Sequence, residues 1–281
     1  MKKHTTYHIG GTVDYYIMPE NDTALMCILD ILHEENVPYY VLGRGSNLLF
    51  EDAHYPGAVI NLDRSFNEVY FEENGVMVAQ AGCSIIHLAA EAASHSLSGL
   101  EFAFGIPGSL GGGLYMNAGA YKSDLASILT EVCVLKDNEI CWMPKESLEY
   151  GYRSSIFQKH KDWTILAGRF QLQKEDPGKI LSLMENRRER RMNSQPLDMP
   201  CAGSVFRNPE QKAAWQIIDE LGFRGYQLGG ARVSDKHSNF IVNQNGQATC
   251  ADVIELIEII QKKAREVFGI DLILEVEHLK W

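Results

Sequence analysis

Glycine and small residues crowd the run from Gly105 through Ile106, Pro107, Gly108, Ser109, Gly111 and Gly112 to Asn117, Ala118, Gly119 and Tyr121. A backbone without Cβ atoms reaches φ > 0 and approaches a bulky partner closely, and successive N–H groups in tight turns form concavities for anions such as a pyrophosphate. The chemistry suited to this composition is the holding of a phosphate-bearing ligand rather than core packing. The run has neither the Lys-Ser/Thr ending of a Walker A loop nor the spacing of a Rossmann fingerprint. A second run, Gly43-Arg44-Gly45-Ser46-Asn47-Leu48, follows the apolar Tyr39-Tyr40-Val41-Leu42. Its third fingerprint glycine is missing, and Leu48-Leu49-Phe50 continues as apolar strand instead of opening an amphipathic helix. Two unrelated glycine loops at strand ends predict one extended cofactor gripped from two sides, a dinucleotide sooner than a mononucleotide.

Three polar residues stand where the packing pattern asks for nothing polar. Arg153 lies between the aromatics Tyr152 and Phe157, Ser204 in an Ala-Gly-Ser turn framed by Pro196, Pro200 and Pro209, and Glu275 near the end of the last apolar alternation. Taken singly, each has an ordinary explanation: a stacked surface Arg, a turn-capping Ser and a strand Glu facing water.

The elements that must position these residues follow from periodicity and turn chemistry. His4 to Pro19 alternates around Gly10-Gly11 and predicts a strand, a turn and a strand. Asn21-Asp22 caps a helix carrying Leu25, Ile28, Leu29 and Leu32, and strands follow at Tyr39 to Leu42 and Ala58 to Leu62. Hairpins are expected at Asn74-Gly75 and Asp137-Asn138, a helix from Ser84 to about His95, a strand from Trp163 to Leu172, and a helix opening at Pro177. Further on, helices are expected over Glu210 to Leu221 and Ala251 to Phe268, a strand at Phe240-Ile241-Val242, and an alternating strand over Leu272 to Leu279. The division that results is α+β with three lobes, residues 1–66, 67–197 and 198–281.

Whole-chain properties narrow the partners. A formal charge of −11 over 281 residues argues against a nucleic-acid surface, and the one basic run, Arg187 to Arg191, has an interleaved acid and reads as a solvated helix face. Six cysteines without CxxC spacing, each in or beside an apolar run, read as reduced packed thiols, and no metal site is expected. Met1 to Thr5 lead into no apolar signal core and no stretch has the apolar length of a membrane span, so a soluble, cytoplasmic protein is the expectation. A monomer is expected separately, on no sequence signal.

Six blocks in order then resemble one family: the Gly43 run, the Gly105 run through Ala120, Tyr152-Arg153-Ser154-Ser155-Ile156-Phe157, Ala202 to Pro209, Gly229-Gly230-Ala231 and Leu274-Glu275-Val276. They are similar to the UDP-N-acetylenolpyruvoylglucosamine reductases, also called UDP-N-acetylmuramate dehydrogenases, in their shorter subclass lacking an inserted tyrosine loop. The resemblance implies a two-lobed FAD-binding fold of the vanillyl-alcohol-oxidase-like type (residues 1–66 and 67–197) with a C-terminal α+β substrate lobe (198–281). It implies bound FAD, NADPH as hydride donor, and the substrate UDP-N-acetyl-3-O-(1-carboxyvinyl)glucosamine, reduced to UDP-N-acetylmuramate for peptidoglycan synthesis and so for cell-wall biogenesis and division. It assigns Ser204 as proton donor, with Arg153 and Glu275 acting on the substrate carboxylate. Gly43 to Leu48, Gly105 to Ser109, Gly111, Gly112 and Asn117 to Gly119 are the implied FAD contacts, and Tyr152, Arg153 and Asn208 the substrate contacts. Arg44 stands where the family often has Gly, and the chain begins with a shorter N-terminal lead than most members. A different oxidoreductase on the same flavin fold, or a non-catalytic paralogue binding FAD or a UDP-sugar, would share many of these motifs.

Overall fold

Asn21 caps the first amphipathic stretch as its type predicts: its Oδ1 accepts from the Ala24 amide at 2.9 Å and opens helix α1 (Asp22–Glu34), which buries Leu25, Leu29 and Leu32. The computed structural model describes residues 1–281. They form two compact units, one from Tyr15–Arg44 and Gly57–Arg190, the other from Met1–Asp14, Gly45–Pro56 and Arg191–Trp281.

In the unit containing α1, Tyr39–Leu42 runs parallel to Tyr55–Asn61, with Val41 opposite Ile60, and a three-stranded sheet is completed by Val13–Ile17. Both anticipated hairpins form. Asn74 and Gly75 take φ of 60° and 80° between Val69–Phe71 and Val76–Gln80, and Asp137 and Asn138 take 49° and 60° between Leu129–Lys136 and Glu139–Pro144. Those left-handed values match the right-handed twist of the flanking strands. With Thr164–Gln171 inserted between the hairpins, the strands make a five-stranded antiparallel sheet. Helices α2 (Ile85–Ser94) and α3 (Leu110–Met116) share its core through Leu88, Ala92, Leu110 and Leu114. Helix α4 (Pro177–Ser194) buries only Ile180 and Met184. Of its basic run, Arg188 and Arg190 are exposed as expected, with Arg188 Nη1 3.0 Å from Glu185 Oε1, whereas Arg187, over the Tyr121 ring at 5.1 Å, and Arg191 are half-buried.

The other unit has its own core of Tyr7, Ile9, Leu49, Phe206 and the apolar faces of α5 (Ala214–Glu220) and α6 (Cys250–Phe268). Strands Gln227–Leu228, Ala231–Val233 and Ile241–Asn243 form an antiparallel sheet. Three expectations change here. The alternation of His4 to Pro19 yields only Val13–Ile17 as strand, because Tyr7 and Ile9 are buried as plugs of this core, without strand pairing. The helix expected from Glu210 begins at Ala214, whose amide is met by the Asn208 side chain at 3.0 Å. Leu272 to Leu279 is not one strand: Leu274 bridges Phe206, the chain then changes neighbour, and only Glu277–Leu279 pairs, in parallel, with Leu48–Phe50. An apolar alternation reports burial on one face and not a single pairing partner.

All six cysteines are free, and burial pushes the Cys83 and Cys133 thiols up to about 11. At pH 8 such thiols hold a thiolate fraction on the order of 10⁻³, and the thiolate is the reactive form. Iodoacetamide at pH 8 is expected to label exposed Cys27 first and to reach Cys83 and Cys133 only after unfolding. Peptide mass spectrometry over a time course reads this, and early labelling of Cys83 would contradict the burial assigned to it.

Candidate active site

The two glycine runs meet. Ser109, at the N-terminal boundary of α3, is 2% exposed, and Gly43 approaches it so closely that a Cβ there would lie 2.0 Å from Ser109 Oγ. Within the longer run the glycines divide their duties. The Leu110 and Gly111 amides donate to the Cys83 and Ala81 carbonyls at 2.8 and 2.7 Å, and a Cβ on Gly113 would strike Ile85 Cδ1 at 2.6 Å. Part of this run therefore does serve packing, contrary to the reading that it holds a ligand alone. Gly112 is exposed, and a Cβ there would meet nothing nearer than Ser109 Oγ at 3.6 Å. A surface stripped of side chains, lying against the junction of both runs, suits an extended phosphate-bearing group, and the residues fit a dinucleotide such as FAD. Gly108 (φ 148°) is buried, Ile106, Ala118 and Gly119 are half-buried, and Pro107 is exposed. Arg44 is exposed with Nε 3.9 Å from Asp63 Oδ2; burial raises the Asp63 carboxyl above its ordinary value, and the Arg44 charge pulls it back.

Asn117 links this run to Arg153. It ends α3 in the left-handed region (φ 46°), is 2% exposed, and donates through Nδ2 to Asp124 Oδ2 (3.1 Å) and to the Gly151 carbonyl (2.9 Å). Its Oδ1 accepts from the Ala126 amide at 3.0 Å, so the side chain is a clamp between two loops. Arg153 also has positive φ (54°), which for a residue other than Gly or Asn carries strain of about 1 kcal/mol or more. Its Nη2 donates to the Gly119 carbonyl at 2.9 Å, its guanidinium lies 5.1 Å from the Tyr152 ring centroid, and Gln158 Nε2 holds its carbonyl at 3.1 Å. The guanidinium is aimed by backbone carbonyls while Tyr152 stays exposed.

In the other unit the chain brings Ser204 and Glu275 onto adjoining segments. The Val205 carbonyl accepts from the Glu275 amide at 2.8 Å, and the Arg207 amide donates to Ile273 at 2.8 Å. Asn47 Nδ2 donates to the Glu275 carbonyl at 3.0 Å, tying the end of the shorter glycine run to the same segment. Asn208, exposed, accepts from the Ala214 amide at the start of α5 through Oδ1.

Sequence reasoning overlooked Asn239. It is 4% exposed; its carbonyl accepts from the Val205 amide at 2.8 Å, its Oδ1 from the Phe206 amide at 3.0 Å, and its Nδ2 donates to the Phe206 carbonyl at 2.8 Å. The backbone of Phe206 is held on both sides by this one side chain. A signal existed: Asn239 and Asn243 flank the apolar Phe240-Ile241-Val242, and both are buried. Asn239→Ala leaves two buried backbone groups of Phe206 unpaired and should cost about 3 kcal/mol in denaturant unfolding. A loss below about 1 kcal/mol would remove Asn239 from this role.

Comparison with known proteins matches two family models, the FAD binding domain over residues 13–141 and the UDP-N-acetylenolpyruvoylglucosamine reductase C-terminal domain over residues 195–279. The UDP-N-acetylenolpyruvoylglucosamine reductases of Anoxybacillus flavithermus and Bacillus subtilis are each 41% identical over 278 residues, covering 99% of this chain and 91% of theirs. The crystal structure of the reductase from Thermus caldophilus superposes with a TM-score of 0.84 at 34% identity, covering 99% of this chain and 97% of that one. The two-part fold, an FAD-binding region followed by the family's C-terminal α+β region, and the relatedness over nearly the full length together establish that the chain belongs to the UDP-N-acetylenolpyruvoylglucosamine reductase family.

Proposed function

We propose that this protein reduces the enolpyruvyl ether of UDP-N-acetylglucosamine to UDP-N-acetylmuramate, with FAD as bound cofactor and NADPH as reductant. The observation carrying this reading is relatedness to named reductases across 99% of the chain. FAD, when bound, supplies the relay of hydride between NADPH and substrate. The rest falls to this chain's own side chains. Addition of hydride to the substrate methylene carbon leaves negative charge delocalised into the neighbouring carboxylate, and the Arg153 guanidinium, aimed by the Gly119 carbonyl, stabilises that charge more in the transition state than before it. Ser204 Oγ delivers the proton to the adjacent carbon; serine is a weak acid, but the carbanionic intermediate is a strong base and positioning matters more than acidity. Glu275 engages the same carboxylate through a proton or a bridging water, since two bare carboxylates repel.

Several finer assignments belong to the same proposal. Residues 1–66 and 67–197 act as the FAD lobes and 198–281 as the substrate lobe. Gly43 to Leu48 and the Gly105 to Gly119 run serve the cofactor; Tyr152 and Asn208 serve the sugar nucleotide. The setting is the cytoplasm, as a monomer, in cell-wall synthesis and division. Six free cysteines suit that setting, and no helix is long and apolar enough to cross a membrane.

Anaerobic stopped-flow absorbance tests the reading. NADPH should bleach the flavin, and the enolpyruvyl sugar nucleotide should restore its colour. Bleaching without recovery would favour another oxidoreductase or a non-catalytic binder, and absence of flavin after reconstitution would remove the proposal altogether.

A further inference from the structure

The parallel pairing of Glu277–Leu279 with Leu48–Phe50 sets His278 opposite Leu49, two residues before Glu51, while Cys250 opens helix α6 in the same unit. His278 Nε2 lies 2.8 Å from Glu51 Oε1 and 3.4 Å from Cys250 Sγ, and the three atoms all fall within 4.8 Å of one another. Both neighbours address the same ring nitrogen. A proton relay of the nucleophile-His-acid kind needs the thiol on one nitrogen and the carboxylate on the other. Convergence of sulfur, nitrogen and oxygen on one point is instead the arrangement of a metal ligand set. Ligands about 2.0–2.3 Å from a tetrahedral zinc ion sit about 3.3–3.8 Å apart; the His–Cys spacing already falls in that range, and the His–Glu pair must open by about half an ångström.

We propose that Glu51, Cys250 and His278 bind one zinc ion. Thiolate, imidazole and carboxylate together select zinc over magnesium or calcium, which take oxygen ligands. Binding forms a zinc–sulfur bond, and the thiol proton leaves to solvent. The charges close: Glu51, Asp52 and the Cys250 thiolate against Lys280 leave two negative charges, which a divalent cation balances. Asp52 stays outside the ligand set, its Oδ2 accepting from the Cys250 amide at 2.7 Å and so fixing the first residue of α6. The bound ion ties three separated segments together, among them the C-terminal strand that begins two residues after Glu275. Spacing in the sequence conceals the site because each ligand comes from a different segment.

The test uses the full flavin-loaded chain, stripped of metal by a chelator, and zinc ion itself as probe. Calorimetric titration should show one equivalent bound, and zinc-edge X-ray absorption should place one sulfur at about 2.3 Å from the metal. Cys250→Ser, and independently the partly exposed Glu51→Gln, should weaken binding by about 100-fold or more, while zinc raises the thermal transition of the parent only. A failure of both variants to fold would leave the parent's stoichiometry and sulfur shell to decide. No single-equivalent binding, a shell of nitrogen and oxygen alone, or unchanged affinity in the variants would overturn the proposal and leave a Glu–His contact beside a buried thiol.

Discussion

Ser204→Ala is expected to bind flavin and be reduced by NADPH within about twofold of the parent, while reoxidation by the enolpyruvyl substrate slows by about 10³-fold, within the range for removing a positioned general acid. The separation of the two half-reactions follows from how the turn is held. Val205 and Phe206 hang on Asn239, and Glu275 hangs on the Val205 carbonyl, all through backbone atoms or Asn239. Deleting Oγ touches none of these bonds. Stopped-flow traces of each half-reaction read the outcome. Equal slowing of both would point to distorted architecture rather than a lost proton, and an unchanged reoxidation rate would pass the donor role to another group. A Ser204→Ala, Glu275→Gln double variant should fall far short of the product of the single effects, because groups acting on one transition state are not additive.

The second large effect is a contrast between adjacent glycines. Gly112→Val should yield folded protein with less than about a tenth of the parent's flavin, and Gly113→Val should fail to accumulate as folded protein. A Cβ at Gly112 meets nothing nearer than Ser109 Oγ at 3.6 Å, so the added bulk falls on whatever occupies that exposed face. At Gly113 the first carbon already lies 2.6 Å from Ile85 Cδ1 and 2.9 Å from Leu125 Cδ1, inside a core that cannot move by that much cheaply. Circular dichroism separates folding from flavin content, which the visible spectrum gives. Stoichiometric flavin in Gly112→Val would show that the open face does not bear on the cofactor. Gly108→Val should also lose flavin, through backbone strain at φ 148°, but it cannot distinguish ligand from fold as the Gly112 and Gly113 pair does.

Local signals were the legible part of this chain. Asn21 as a cap, Asn74-Gly75 and Asp137-Asn138 as hairpin turns, and the long amphipathic run of α6 all depend on interactions within a few residues, which sequence displays directly. The motif residues Arg153, Ser204 and Glu275 could be picked out because they are polar where nothing local asks for polarity. Less legible was anything that required knowing a distant neighbour. Tyr7 and Ile9 alternate like a strand yet serve as core plugs, and Leu272 to Leu279 alternates while changing partner midway.

Sequence by itself thus determined the α+β class, the turns and caps, the two glycine runs and the family. Tertiary structure alone decided that Gly43 meets Ser109, that Asn117 clamps the loop aiming Arg153, that Asn239 carries the segment after Ser204, and that Glu51, Cys250 and His278 converge. The reason is physical. Propensity and capping act over a turn of chain, whereas a buried Asn or a ligand set is satisfied by groups brought near only when burial of apolar surface has folded the segments between them.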